Sequence, residues 1–386
     1  MKKHLILAAN AIPGQGGQGI NLSQMIEGAV NDFDITLFAS NGHPKCHNRL
    51  VPKSRTAAFM ARMPLVRRLR DWHTWLANAH FDRYVAARLV RTDIFQGVTG
   101  QCSRSLARAR NLGCRTVLDV VTTHIDDFAA HQDRECARFG IRPTMHSWQR
   151  ARMRDEYQRA DLIRVMSKVA QRTFIERGFS PDRVFVLPPW YNLSEFPRAR
   201  FTEPVFRVCC VGLLEPWKGF HFLAQAFDEL RLPGSELVFF GGTGSRPVAQ
   251  YFRDLIRRNP SISFRPFNIQ MTGYDQVYGR SSVLVHPSLT DGFGQVVAEA
   301  MACGLPVVVS QNTGASDWVI EGRNGFILPA GDVSLLKERL TWFYNNRDQL
   351  PVMGQASRDI VSRYSLHCFR ESYGARLKAL LTHTTL

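Results

Sequence analysis

The stretch His286–Ser310, HPSLTDGFGQVVAEAMACGLPVVVS, decides how this chain is read. A short apolar strand, SVLVHPS, leads into a loop holding Asp291, Gly292, Phe293 and Gly294, and a helix begins about there. That helix, QVVAEAMAC, is apolar on nearly every side, which marks it as buried. Glu299 sits in its middle, and a buried carboxylate is costly unless something binds it. An isolated buried Glu is most often met by an internal salt bridge or a backbone hydrogen bond. Here Asp291 stands at the helix mouth, where glycines leave backbone amides open at a positive helix end suited to an anion. Glu299 lies about 7–8 Å further along the axis from Gly294. A phosphate at the amides and hydroxyls at the two carboxylates describe a sugar nucleotide.

Outward from this stretch the chain alternates strand and helix. HLILAAN, DITLFAS, DIFQGV, RTVLDVV, DLIRVM and RVFVLP read as strands, with helical stretches at 20–31, 102–112, 146–160 and 167–178. The segment PPWYNLSEFPRARFTEP carries four prolines and little periodicity, and reads as a linker. The alternation then restarts with FRVCCVG, ELVFFGG, SISFRP, SVLVHPS, PVVVS and GFILPA, and closes with helical stretches at 332–346, 352–363 and 366–382. Such a pattern predicts parallel sheets covered by helices, an α/β chain. The expected organisation is a Rossmann-like domain over 1–195, a second over 196–365, and a final helix over 366–386 that packs back toward the first. Ligands of doubly wound domains bind in the crevice between them.

The chain has 386 residues, a net charge of +16 and eight cysteines without metal-ligand spacing. Scattered thiols fit a reducing compartment, so the cytoplasm is the expected location. No apolar run reaches membrane-spanning length. Between Lys53 and Arg115, thirteen Lys and Arg face three acids. Within that segment, residues 62–76 read as a basic amphipathic helix that could lie on an anionic membrane surface, or simply as a domain helix with a solvated basic face. No nucleic-acid module accompanies the charge, so nucleic acid is not expected as a partner.

Asp291-x7-Glu299 resembles the acidic E-x7-E signature of retaining glycosyltransferases of family 4, with Asp in place of the first Glu. The Asn312-Thr313-Gly314 loop is similar to that family too. VCCVGLLEPWKGFHFLAQAF resembles its second motif: Gly212 and Lys218-Gly219 are in place, while Leu213 stands where the family has Arg. His124, just after VLDVV, matches a family histidine that contacts the donor sugar. Trp190-Tyr191-Asn192 departs from the family's Gly-x-Asp. The resemblance covers essentially the whole chain and implies the GT-B fold and transfer of a hexose-type sugar from a UDP- or GDP-sugar to a glycan or lipid-linked acceptor. It implies Glu299 on the ribose hydroxyls, Asp291 on the transferred sugar, and Lys218 on the departing diphosphate. Backbone amides at Gly292, Phe293 and Gly294 would approach the sugar and diphosphate. It implies neither metal nor cofactor. A catalytically silent sugar-nucleotide binder and a sugar-nucleotide epimerase are the alternatives.

The N-terminal loop contains Gly14-x-Gly16-x-x-Gly19, the spacing of a dinucleotide fingerprint. Asn10-Ala11-Ile12-Pro13 separate it from its strand, and the second strand ends at Ser40-Asn41 without an acid for a ribose. The loop instead resembles a turn that brings Gly16 and Gly17 to the donor's diphosphate.

Overall fold

The computed structural model describes residues 2–60, 72–142, 145–266 and 273–382. The first sheet has seven parallel strands: β1 (Lys3–Ala8), β2 (Phe33–Ala39), β3 (His47–Leu50), β4 (Ile94–Val98), β5 (Arg115–Asp119), β6 (Leu162–Val165) and β7 (Val184–Val186). They lie in the order 3-2-1-4-5-6-7. The second has six: β8 (Phe206–Leu214), β9 (Ser235–Thr243), β10 (Ile262–Pro266), β11 (Val283–His286), β12 (Val307–Ser310) and β13 (Gly325–Leu328), in the order 10-9-8-11-12-13. Helices cover both faces, so the central strands are apolar on both sides. Leu5, Ile6 and Leu7 in β1 are all buried, as are Val307, Val308 and Val309 in β12.

These orders position the site. Strand order reverses between β1 and β4 in the first sheet, and between β8 and β11 in the second. A crevice forms at each reversal, beyond the carboxyl ends of the strands. The loops leaving β8 and β11 therefore rise side by side, and they carry Lys218 and Asp291. The loop leaving β1 carries the glycines 14, 16 and 17.

The first helix begins at Gly16, four residues earlier than its apolar pattern indicates. The glycine loop is thus the helix's own first turn. Gly19 presses on the preceding chain, where a Cβ would lie 2.0 Å from the Ile12 carbonyl oxygen. An edge strand, the Arg55–Met60 helix and the Ile125–Arg138 helix were not legible. The edge strand β3 is exposed along its length and has no apolar alternation. The Ile125–Arg138 helix, IDDFAAHQDRECAR, is strongly polar. Of the basic stretch 62–76, residues 62–71 lie outside the described residues. Its end belongs to the Trp72–Arg88 helix, and the Trp75 ring meets Trp148 edge-on at 4.9 Å. No described helix is long and apolar enough to cross a membrane. Six cysteines are buried as free thiols, Cys46 is half-buried and Cys368 is exposed.

The chain crosses between the sheets twice. The outgoing segment and the returning one are tied by a hydrogen bond from the Tyr191 amide to the Tyr364 carbonyl (3.0 Å). Arg358 braces the same crossing by donating to the carbonyls of Leu193 (2.9 Å) and Phe196 (3.2 Å). After the second crossing, the Leu366–Thr382 helix packs on the first sheet's layer. Its Phe369, Tyr373 and Leu377, four residues apart on one face, join the core formed by Leu22, Met25 and Ile26. Gly28 makes the approach possible, since a Cβ there would sit 2.4 Å from the Phe369 ring. The Tyr373 hydroxyl donates to Gln96 Oε1 at 2.6 Å inside this core. Arg164 and Asp119 form a fully buried pair at 2.8 Å between β5 and β6, so these charges are structural.

Candidate active site

A cleft of about 750 Å³ separates the two sheets' loop ends. Gly14, Gly16 and Gly17 line one wall, and Lys218, Asp291 and Glu299 line the other. Two helix N-termini point toward it from opposite sides. The Gly16–Ala29 helix has no side-chain cap and no acid in its first turn. The Gln295–Ala302 helix is entered through Gly294, whose φ of +84° is a left-handed conformation that favours glycine. A Cβ at Gly294 would also lie 3.0 Å from Thr313 and 3.4 Å from the His286 ring. Each N-terminus offers amides and partial positive charge to an anion.

Asp291 is fixed from several directions. Its amide donates to the Asn312 carbonyl (3.1 Å), and its carbonyl accepts from the Gly314 amide (3.0 Å). The Asn312-Thr313-Gly314 loop therefore holds its backbone in place. Its Oδ2 meets Lys218 Nζ at 2.6 Å and His286 Nε2 at 3.0 Å. Burial alone would push this carboxyl up, but the Lys218 ammonium and the His286 ring outweigh it and hold the group well below the usual carboxylate range. Asp291 is thus an anion at any physiological pH. Lys218 is the one lysine or arginine among the described residues lining the cleft. It ends the Pro216–Lys218 turn, and Gly219 follows at φ +70°. A Cβ at Gly219 would meet the Pro287 carbonyl oxygen at 2.0 Å, so the β8 and β11 loops can touch only through glycine. Leu213 is half exposed and supplies no charge.

Glu299 has the opposite character. Among the described residues its hydrogen-bond partner is the Tyr278 hydroxyl, which donates to Oε2 at 3.0 Å. Burial pushes its carboxyl up to about 7, and the Tyr278 bond opposes this only in part. Two carboxylates eight residues apart are therefore held in different states: one locked as an anion, the other poised to gain or lose a proton near neutrality.

Of the residues expected in the site, Gly16, Gly17, Lys218, Asp291, Phe293, Gly294 and Glu299 are brought together along the cleft. Gly292 and His124 are not. Gly292 faces the first domain, where a Cβ would lie 2.3 Å from the Val121 carbonyl oxygen and 2.7 Å from Thr122 Cα. Its carbonyl accepts from Ser167 Oγ at 2.7 Å. It is a close-approach residue between domains, not a cleft residue. His124 is 3% exposed and caps the Ile125–Arg138 helix, with Nδ1 accepting from the Asp126 amide at 3.2 Å. Its ring packs among Tyr157 (5.0 Å) and Phe174 (4.9 Å). Burial there drives its pKa down to about 4, so the ring is neutral. In this structure it caps a helix and does not line the cleft.

Sequence reasoning missed His286 and Tyr278. His286 had a signal, because it ends the strand of the deciding stretch and lies five residues before Asp291. Tyr278 had none, since it comes from the short irregular turn Asp275–Gly279.

Two doubly wound parallel sheets facing one cleft are the GT-B architecture, and the chain has that fold. Residues 194–360 match the model of the family "Glycosyl transferases group 1". Among curated relatives, a capsular polysaccharide biosynthesis glycosyltransferase, CapM of Staphylococcus aureus, is 35% identical over 158 residues, covering 40% of each chain. A GDP-mannose-dependent alpha-(1-6)-phosphatidylinositol monomannoside mannosyltransferase of Mycolicibacterium smegmatis is 27% identical over 251 residues, 58% of this chain and 62% of the relative. The chain thus spans less than two thirds of the length of these relatives. In shape it is similar over 98% of its length to the whole of Anabaena HepE in complex with UDP-glucose, with a TM-score of 0.71 and 15% identity.

Proposed function

We propose that the protein is a retaining glycosyltransferase that moves a hexose-type sugar from a UDP- or GDP-sugar to a hydroxyl of a glycan or lipid-linked acceptor, in cell-surface polysaccharide or glycolipid biosynthesis. The observation that carries this reading is the convergence of Lys218, Asp291 and Glu299 with two helix N-termini on one cleft. The bound names of relatives support the donor class, since one is GDP-mannose-dependent and one structural neighbour holds UDP-glucose.

In this reading Glu299 accepts hydrogen bonds from the ribose hydroxyls. The diphosphate lies between the Gly16 and Gln295 helix ends, with Lys218 neutralising the charge that develops as it departs. The bond from the anomeric carbon to the phosphate oxygen breaks, and a bond to the acceptor oxygen forms on the same face. The acceptor's proton passes to the departing phosphate. Asp291, locked as an anion by Lys218 and His286, faces the positive charge of an oxocarbenium-like centre. Lysine and helix amides take the role that a divalent ion would play, so the reaction is proposed to need neither metal nor cofactor. We place the protein in the cytoplasm, with residues 62–76 attaching it peripherally to an anionic inner leaflet. Flotation with anionic but not neutral vesicles would support that attachment, and equal flotation with both would remove its electrostatic basis.

The test of the donor site is a thermal-shift panel of UDP, GDP, ADP and their hexose conjugates in the presence of a chelator, followed by donor turnover. Stabilisation by one nucleotide, with turnover abolished by Asp291→Ala, is the expected result. Stabilisation without any transfer or hydrolysis points to a silent binder, and stabilisation by NAD alone overturns the reading.

A further inference from the structure

Beside the cleft the two domains meet along a buried seam. Its first-domain side is the end of the Ile125–Arg138 helix. Its second-domain side is the Pro216–Lys218 turn and the Phe220–Leu230 helix that follows. Phe139 packs on Phe220 at 5.7 Å, on His221 at 5.2 Å and on Tyr251 at 5.6 Å. With Ile141 it joins the second domain's core. Two turns earlier on its helix, Phe128 meets Trp217 at 5.9 Å. Apolar side chains of one domain buried against the other hold the cleft walls at a fixed distance.

Set into this apolar seam is a charge cluster that the donor site does not use. Glu135 is 3% exposed and His221 8%. His221 Nε2 lies 3.2 Å from Glu135 Oε2 and 3.1 Å from Arg138 Nη1, and Arg138 lies 3.5 Å from Glu135. A neutral imidazole suits either neighbour: with its proton on Nδ1 it accepts from Arg138, and with its proton on Nε2 it donates to Glu135. An imidazolium suits the seam badly. It has no lone pair for Arg138 and sets a second cation beside that guanidinium. Its Nδ1 is buried without a hydrogen-bond partner among the described residues, so the second N–H would go unmet. Burial accordingly lowers the histidine's pKa from 6.5, with Glu135 opposing only in part. Burial pushes the Glu135 carboxyl up, but the His221 ring and the Arg138 and Arg134 charges outweigh it and hold Glu135 ionised. Tyr251, from the Arg246–Arg258 helix, meets Phe139 and Phe220 through its ring, and burial raises its hydroxyl to about 12, so it adds no charge.

We infer that the seam is an acid-released latch: His221, Glu135 and Arg138 hold the two domains together while the ring is neutral, and protonation of His221 parts them. A solvated histidine takes up a proton near pH 6.5. The closed seam binds that proton more weakly, so opening takes one proton from solvent. The sign follows: the closed form's advantage is fully present above about pH 6.5 and is lost as the pH falls below it. The Phe220–Leu230 helix begins two residues after Lys218, so parting the seam draws Lys218 away from the wall of Gly16 and Gly17. That a nucleotide diphosphate is released with it rests on the transferase reading; the latch itself does not.

The test is small-angle X-ray scattering of the full chain without nucleotide at pH 7.5 and pH 5.5, with circular dichroism to show that it is folded at both. The expected result is a larger radius of gyration at pH 5.5, from a closed-to-open ratio lowered by up to about tenfold. Glu299 titrates in the same range, so two variants assign the change. His221→Gln can still donate to Glu135 or accept from Arg138 but takes up no proton, and should stay closed at both pH values. Arg138→Gln removes the guanidinium that an imidazolium would face and leaves Glu135 to pair with the ring, so it should open less than the wild type. A wild-type radius that does not change, or an opening undiminished in either variant, overturns the inference. Thermal shift with UDP and GDP at pH 7.5 keeps the two readings apart. Opening in acid with neither nucleotide bound sinks the donor reading and keeps the latch, and nucleotide binding without opening sinks the latch alone.

Discussion

Replacing Glu299 by Gln keeps the side chain's size and the acceptor oxygen for Tyr278, and removes only the charge. The buried carboxyl titrates at about 7 instead of its ordinary 4.5. At 1.36 kcal/mol per pH unit, holding Glu299 ionised in the fold costs up to about 3 kcal/mol relative to the unfolded chain. The sign follows from the raised value. The favourable, protonated form of the folded protein is fully present below pH 4.5, and its benefit is lost as pH rises through about 7. At pH 8 the wild-type protein bears the whole cost, whereas at pH 5 it bears under about 1 kcal/mol. Glu299→Gln bears neither, so the difference in stability between variant and wild type should grow by about 2–3 kcal/mol between pH 5 and pH 8. Urea unfolding of both proteins at the two pH values measures it. Superimposable pH dependences would refute the reasoning, because they would mean the carboxyl is solvated and needs no ligand. The same substitution should weaken nucleotide binding about 10–100-fold, since a charge-assisted acceptor of two hydroxyls is lost. A variant that is more stable at pH 8 and binds worse is the signature of a residue kept for its ligand.

Lys218→Ala should cut donor turnover by at least about 100-fold, because the one described cation on the cleft is removed from the leaving diphosphate; steady-state kinetics with the donor identified by thermal shift reads this, and unchanged turnover would place the diphosphate elsewhere. His124, whose pKa is lowered from 6.5 to about 4 by burial, binds its proton more weakly folded than unfolded, so stability should fall as pH drops from about 6.5 toward 4. His124→Asn, which can still cap the helix, should flatten that fall in acid melts while leaving nucleotide affinity at neutral pH intact; lost affinity would return His124 to the donor site. Gly292→Ala puts a methyl within 2.3 Å of the Val121 carbonyl and should displace the two domains, costing about 1–3 kcal/mol. Small-angle scattering should show a larger radius of gyration, and nucleotide affinity should fall although no cleft residue has changed.

Much of the fold was legible because parallel strands buried on both faces read as apolar runs, as VLVH and VVVS do. That Lys218 and Asp291 share one cleft was implied by resemblance and is explained by topology, since strand order reverses between the strands that precede them; their direct ion pair was not foreseen. His124 shows where reading a sequence is ambiguous in principle. A histidine between a strand and a helix serves equally well as a cap or as a ligand contact, and only burial among Tyr157 and Phe174 separates the two. The Ile125–Arg138 helix was harder to read because its buried face, Ile125, Ala129, Gln132, Glu135 and Cys136, mixes polar with apolar residues. Tyr278 illustrates a third limit: a lone side chain from an irregular turn can complete a site with no periodic trace at all.

The helix at Leu366–Thr382 has a consequence for how the protein is made. The first domain's strands emerge from the ribosome early, but part of the core beneath them, Phe369, Tyr373 and Leu377, is translated only after the whole second sheet. The second domain, by contrast, is contiguous in sequence and can close as soon as residue 361 is clear. Synthesis order and completion order are therefore inverted: the half that starts first must wait, with the face around Leu22 and Met25 uncovered, for the final helix to return. A nascent chain stalled near residue 365 would present a finished second domain joined to an unfinished first one. That uncovered face is where a chaperone would be drawn.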